Sequence, residues 1–128
     1  MTDTDLHALR QRQLDAVWDW FVVQGKPRSI GVDDLRRPQC CYRSETGLRC
    51  GVGVLIPDEL YESSIEGMSA SSVAADSCGS LPELSKALGG LENSNFLDSI
   101  QFAHDSSFPY MEVELREIAL RYNLTVPS

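Results

Sequence analysis

No apolar run in this chain approaches the roughly 20 residues that cross a bilayer. The amino terminus, MTDTDLH, has neither the basic start nor the apolar stretch of a secretory leader. These two absences lead us to expect a cytoplasmic protein with reduced thiols and no membrane partner. Histidine is scarce: His7 and His104 are the only two. Bases are outnumbered, 11 against 19 acids for a formal net charge of −8, which argues against direct nucleic-acid binding, since that needs cations on phosphates. The glycine motifs of nucleotide sites are also missing. GVGVLIP holds a G-x-G without the third glycine of the dinucleotide fingerprint, and no G-x-x-x-x-G-K-[ST] occurs.

What remains is an ordinary globular composition, 42% hydrophobic and 23% charged over 128 residues. That length fits a single compact domain, burying roughly two-thirds of its unfolded surface without staples. Leu6, Leu9, Leu14, Val17, Trp20 and Phe21 recur at helical spacing, with Trp18 at the edge of the stripe. Thr2 and Asp5 form a capping-box pair, and Gly25-x-Pro27 ends the run, so the spacing predicts a helix over about 3–24. Residues 26–39 read as a connecting loop. QCCYR and LRCGVGV flank SETG, which predicts a β-hairpin over about 39–54. Pro57-Asp58 can start a short helical turn. Residues 62–80, rich in Ser, Ala and Gly, leave open a short helix near Ser71–Asp76 or a loop. Ser80, Pro82 and Glu83 resemble a second capping box opening a helix over about 81–88. Further stripes predict helices over about 94–105 and 110–122, the last carrying Met111, Leu115, Ile118 and Tyr122. The expected fold class is mainly α with one small β-hairpin.

Candidate chemistry is sparse. Cys40, Cys41, Cys50 and Cys78 lack the C-x2–4-C spacing of structural zinc sites, and free cysteines are commonly small buried hydrophobes. A cysteine nucleophile needs a histidine to lower its pKa, and His104 is the one serious candidate. Successive helical residues diverge by about 100°, so Asp105 is expected to point away from His104. The bland reading is a partly buried histidine donating to a backbone carbonyl at a helix end. Asp33-Asp34 and Asp58-Glu59 lack the alternating oxygens of a calcium loop. We therefore expect no catalytic residue, no metal and no cofactor; the competing reading is a metalloprotein or cysteine-dependent enzyme built on Cys40, Cys50 and His104.

Charge is unevenly spread. Residues 1–40 carry six acids and six bases, whereas residues 57–128 carry twelve acids and three bases. Such a field favours encounter with basic surfaces. The candidate partner-binding residues are Asp58, Glu59, Glu62, Glu66, Glu112 and Glu114. The plainer alternative is that these carboxylates only solvate the surface.

CCYRSETGLRCGVGVLIPDELYESSIEG, followed by FLDSIQFAHD and a terminal IALRYNL, resembles a group of small proteins encoded by tailed bacteriophages and prophages. Their pattern is C-x-Y-R, a glycine turn, R/K-C-x-x-G-x-L-I-P-D-E-x-Y, then E-G, and later F-L-x-x-(L/I)-Q-x-x-H-D. It is met here by Cys40, Tyr42, Arg43, Gly47, Arg49, Cys50, Gly53, Leu55 to Glu59, Tyr61, Glu66, Gly67, Phe96, Leu97, Gln101, His104 and Asp105. The resemblance spans roughly residues 38–124. It implies a phage setting and brings no activity and no catalytic residue with it. Small acidic phage proteins outside the virion often bind and inhibit host proteins, so the expectation by association is an inhibitor of a host protein with a basic surface, such as a CRISPR effector or another nucleic-acid-binding defence complex. A transcriptional or packaging accessory role is the blander variant.

Overall fold

The computed structural model of the chain describes residues 1–32, 38–44 and 46–127. Asp33 and Asp34 lie outside the described residues, as does the side chain of Cys40. The architecture is mainly helical: α1 (Asp3–Trp18), α2 (Ala70–Ala75), α3 (Pro82–Leu88), α4 (Ser94–Ser107) and α5 (Met111–Arg121). α1 begins as its sequence dictates. The Thr2 hydroxyl accepts from the Asp5 N–H, and the Asp5 carboxylate accepts from the Thr2 N–H. Its last turn widens into a π-helical turn, Asp19–Val23, before Gly25 turns the chain at φ +64°.

One face of α1, with Leu14 and Val17, meets Leu97 and Ile100 of α4, Leu115 and Ile118 of α5, and Leu84 and Leu88 of α3 in one connected apolar cluster. α4 packs against both α2 and α5. The two tryptophans exchange the roles expected of them: Trp18 is buried and Trp20 only half-buried. Trp20 lies past the α-helical part of the stripe, in the π-helical turn Asp19–Val23, where the rotation per residue that placed it on the apolar face no longer holds. Contacts decide instead. Arg116 of α5 covers Trp18, while Lys26 and Arg49 stand over the Trp20 ring.

The buried amides of Asn93 and Gln13 are paired. Asn93 donates to Gln13 (2.8 Å) and to the Leu88 carbonyl (2.8 Å), an acceptor left over by the end of α3. Arg10 in turn donates to Asn93 at 2.8 Å. The carboxyl-terminal tail folds back on α1, where the Gln11 side chain bonds both the N–H and the carbonyl of Thr125.

Two expectations need correction. The β-hairpin over 39–54 is not seen as a pair of strands among the described residues. β1 (Ile30–Val32) pairs antiparallel with β2 (Pro38–Cys40), so the strand partner lies in the stretch read as a loop. Beyond β2 the two flanks meet at an antiparallel bridge, Arg43 with Arg49, made by the Ser44 N–H on the Leu48 carbonyl and the Cys50 N–H on the Tyr42 carbonyl. The N–H groups of Tyr42 and Arg43, which would point to opposite sides of an extended strand, both go to the Glu66 carboxylate (2.8 and 3.2 Å), so the chain does not run on as a strand there. Nor does Ser80 cap α3. With Pro82 at the first helical position the cap falls on Leu81, which makes no side-chain cap bond; its N–H is taken by Asp76 at 2.8 Å. The open stretch 62–80 resolves into α2, capped by the Ser69 hydroxyl on the Ser72 N–H and closed by Asp76 at φ 53°.

Candidate functional site

Among the described residues of 41–69 regular structure is limited to three single 3-10 turns, Gly53–Leu55, Asp58–Leu60 and Ser63–Ile65, so many backbone groups must find partners elsewhere. Glu66 is the hub. Besides the N–H groups of Tyr42 and Arg43, its carboxylate accepts from the Tyr61 hydroxyl at 2.6 Å. The Tyr42 hydroxyl bonds the Met68 carbonyl, and Arg43 bonds the Ile56 carbonyl at 2.7 Å while its guanidinium covers the Tyr61 ring. Burial, and next the donation to Glu66, push the Tyr61 phenol up to about 12. Tyr42 is raised too, by burial first and then by Cys50 and nearby carboxylates. Both phenols therefore remain neutral donors.

The two near glycines of GVGV serve close approach, not a phosphate. A Cβ on Gly53 would fall on the Tyr42 carbonyl oxygen, and one on Gly51 would lie 2.8 Å from the Ile100 carbonyl oxygen of α4. α4 and the irregular segment thus meet backbone to backbone.

His104 is fully buried, which departs from the partly exposed helix-end histidine expected. Its Nε2 accepts the Ser29 N–H at 3.1 Å, so the ring proton sits on Nδ1, which donates to Asp105 at 2.7 Å. The expectation that Asp105 points away is overturned. Nδ1 is the ring nitrogen closest to the backbone, and a short carboxylate one residue on can reach it. Asp105 also accepts from Gln101 at 3.1 Å. The pair resembles the acid–histidine half of a triad, but the nitrogen that would take a proton from a nucleophile is filled by a backbone amide. Cys50 is fully buried, and burial, partly opposed by the Gly53 N–H on its sulfur (3.2 Å), pushes its thiol up to about 12. That is the opposite of an activated thiolate. Cys41 is buried, its sulfur over Gly31, and Cys78 is exposed. Among the described residues no three His, Cys, Asp or Glu side chains gather as a metal-ligand set.

The six acids proposed to bind a partner fall into separate groups. Glu66 is half-buried and committed to the three hydrogen bonds described. Asp58 is 74% exposed but ion-paired with Arg43 (2.8 Å) and Arg49 (3.2 Å). Glu59 and Glu62 are exposed beside it. Glu112 and Glu114 stand in the first turn of α5, with Glu112 pairing loosely with Arg116 at 3.7 Å and lining a groove with Lys26 and Pro27. Among the described residues no hydrogen bond or ion pair links these two to the 58–66 segment.

Comparison with protein-family models, curated proteins and solved structures finds no match for the chain. Nor is any helix of the described residues long and apolar enough to cross a membrane.

One further feature escaped the sequence reading. A cleft of about 610 Å³ opens between α4 and the Gly67–Ala70 segment, lined by Tyr42, Met68, Asp98, Gln101, Phe102 and Asp105 among others. Asp98 and Asp105 lie seven residues apart, so they share one face of α4, with Gln101 and Phe102 on its two flanks. The signal was present in FLDSIQFAHD, yet acids on a helix read first as a solvated face. One Asp98 oxygen accepts the Ser71 N–H in the first turn of α2 at 2.9 Å. Gln101 accepts from the Val52 N–H at 3.1 Å and donates to Asp105, which joins the cleft wall to the irregular segment behind it.

Proposed function

We propose that this chain is a small acidic accessory protein of a phage type, which binds a host protein with a basic surface and inhibits it. A nucleic-acid-binding defence complex is the partner class that such a surface fits. The observation that carries the reading is where the reactive groups go. His104 and Cys50 are spent on the backbone amides of Ser29 and Gly53, while Glu59 and Glu62 stand exposed. A surface of carboxylates over a rigid, inward-satisfied frame does its work by docking. Such docking is steered by charge, so it depends on salt and on single charges at the rim.

The test is affinity capture from bacterial lysate, followed by kinetics with the captured partner. Association is expected to slow as salt rises past about 0.15 M, where the screening length is near 8 Å. Glu59→Lys with Glu62→Lys is expected to slow association more than it speeds dissociation. An association rate indifferent to both salt and the double reversal would overturn the electrostatic reading.

A further inference from the structure

We propose that the cleft between α4 and the Gly67–Ala70 segment receives an arginine side chain presented by the partner protein. The proposal rests on the binding function above and names the chemistry of one anchor.

The cleft has the size of a ligand site, about 610 Å³. Its charged lining is of one sign: Asp98 and Asp105 are present and, among the described residues, no Lys, Arg or His lines it. One Asp98 oxygen is held by the Ser71 N–H, which fixes the carboxylate; among the described residues no hydrogen bond occupies the other. Asp105 is oriented by His104 and Gln101. These bonds pre-set the geometry, so an incoming cation need not order the acids itself. Phe102 supplies the remaining feature. The residue is 57% exposed and lines the cleft, so an aromatic ring is available beside the acids.

This combination selects among cations. A divalent metal needs several oxygens converging at about 2.0–2.6 Å, whereas two acids two helical turns apart are separated by about 10 Å along the axis and cannot share one ion. A lysine ammonium can stand over a ring, as Lys26 does over Trp20, but it is strongly hydrated and offers a carboxylate no planar fork. A guanidinium is planar and weakly hydrated, forks onto a carboxylate and stacks on an aromatic face. The chain's own arginines show the habit: Arg10 lies over Tyr122, Arg43 over Tyr61 and Arg116 over Trp18. A side chain on a peptide backbone is favoured over free arginine, whose own carboxylate would meet the field of Asp98 and Asp105.

The experiment uses the full ¹⁵N-labelled chain titrated with the blocked peptide acetyl-Gly-Arg-Gly-amide at low salt. Saturable amide shifts confined to residues 67–71 and 98–105 are expected. Asp98→Asn and Phe102→Ala, both at exposed positions, should each weaken binding by about fivefold, and the lysine peptide should bind weaker by a similar factor. Shifts spread over Glu59, Glu62 and Glu112 would overturn the site, as would equal binding of the lysine peptide or no effect of Asp98→Asn in a variant with an unchanged spectrum. Free L-arginine binding as well as the peptide would make the cleft an amino-acid site and overturn the docking role. The two readings fail separately. Salt-dependent capture of a partner that survives Asp98→Asn and Phe102→Ala removes the anchor alone. Peptide binding in the cleft without any salt-dependent partner removes the proposed function alone.

Discussion

The backbone amide of Ser29 points at Nε2 of His104, 3.1 Å away in the interior of the protein, across 75 residues of sequence. One hydrogen bond thus fixes three things: the tautomer of the ring, the path of the chain entering β1, and the position of Asp105 on the far side of the imidazole. Replacing His104 by Ala removes a fully buried ring and orphans a buried donor. The expected cost is about 3 kcal/mol, from the cavity and the unpaired amide together. Urea unfolding measures it. A variant that unfolds at the wild-type midpoint yet loses all biological activity would move His104 from frame to function.

Glu66 and Asp58, eight residues apart, make a paired test. Glu66 accepts three hydrogen bonds, two of them from backbone amides, whereas Asp58 is a mostly exposed partner of two arginines. Glu66→Gln replaces one acceptor oxygen with an NH2 donor that faces other donors and should cost about 2 kcal/mol. Asp58→Asn should cost no more than about 1 kcal/mol, the range of exposed ion pairs, and its effect should shrink in high salt. Equal losses would mean that the irregular segment is held by its surface charges.

Gly53→Ala places a methyl on the Tyr42 carbonyl oxygen, and because that contact is backbone on backbone no rotamer can relieve it. A loss of about 3 kcal/mol is expected, at the upper end of overpacking costs. Gly47→Ala meets no atom within 4 Å but must hold φ +85°, so its cost comes from backbone strain alone, about 1 kcal/mol. Thermal melts of the two variants rank these mechanisms, and a Gly53→Ala protein as stable as wild type would disprove the close approach.

Stability should fall on the alkaline side. The Cys50 thiol ionises near 9 in an unfolded chain and near 12 when folded, and Tyr61 moves from about 10 to about 12. Between those values the folded state holds protons that the unfolded state has released, so stability that is complete below pH 9 is lost as pH rises through 9 to 12. Urea midpoints at pH 7.5 and 10.5 give the slope, and Cys50→Ala should flatten it. Cys78, being exposed, should react with a thiol reagent at neutral pH while Cys50 reacts only on unfolding. Rapid labelling of Cys50 in the native protein would contradict its burial.

Long helices were legible because each carries its own instruction. The capping box of Thr2 and Asp5, and the stripe Met111, Leu115, Ile118, Tyr122, are local codes that the fold obeys. The segment from Cys41 to Ser69 carries no such code. Its geometry depends on Glu66, Gln101 and backbone contact with α4, all distant in sequence, and turn chemistry alone therefore pointed to a hairpin that these partners pre-empt. The same holds for the site. Acid counts singled out Glu66, which the fold turns inward, and passed over Asp98, whose meaning comes only from the loop it faces.

That delegation of backbone bonding has a consequence for how the protein can vary. A helix holds its amides whatever side chains it bears, so its surface can drift in sequence at little cost. Where Glu66, Gln101 and two crowded glycines do the holding, nearly every neighbour is tied to a specific chemical identity. A saturation-mutagenesis survey should therefore show tolerance along the outer faces of α1 and α5 and a block of intolerance between Tyr42 and Gly53 that recurs at Glu66 and Gln101.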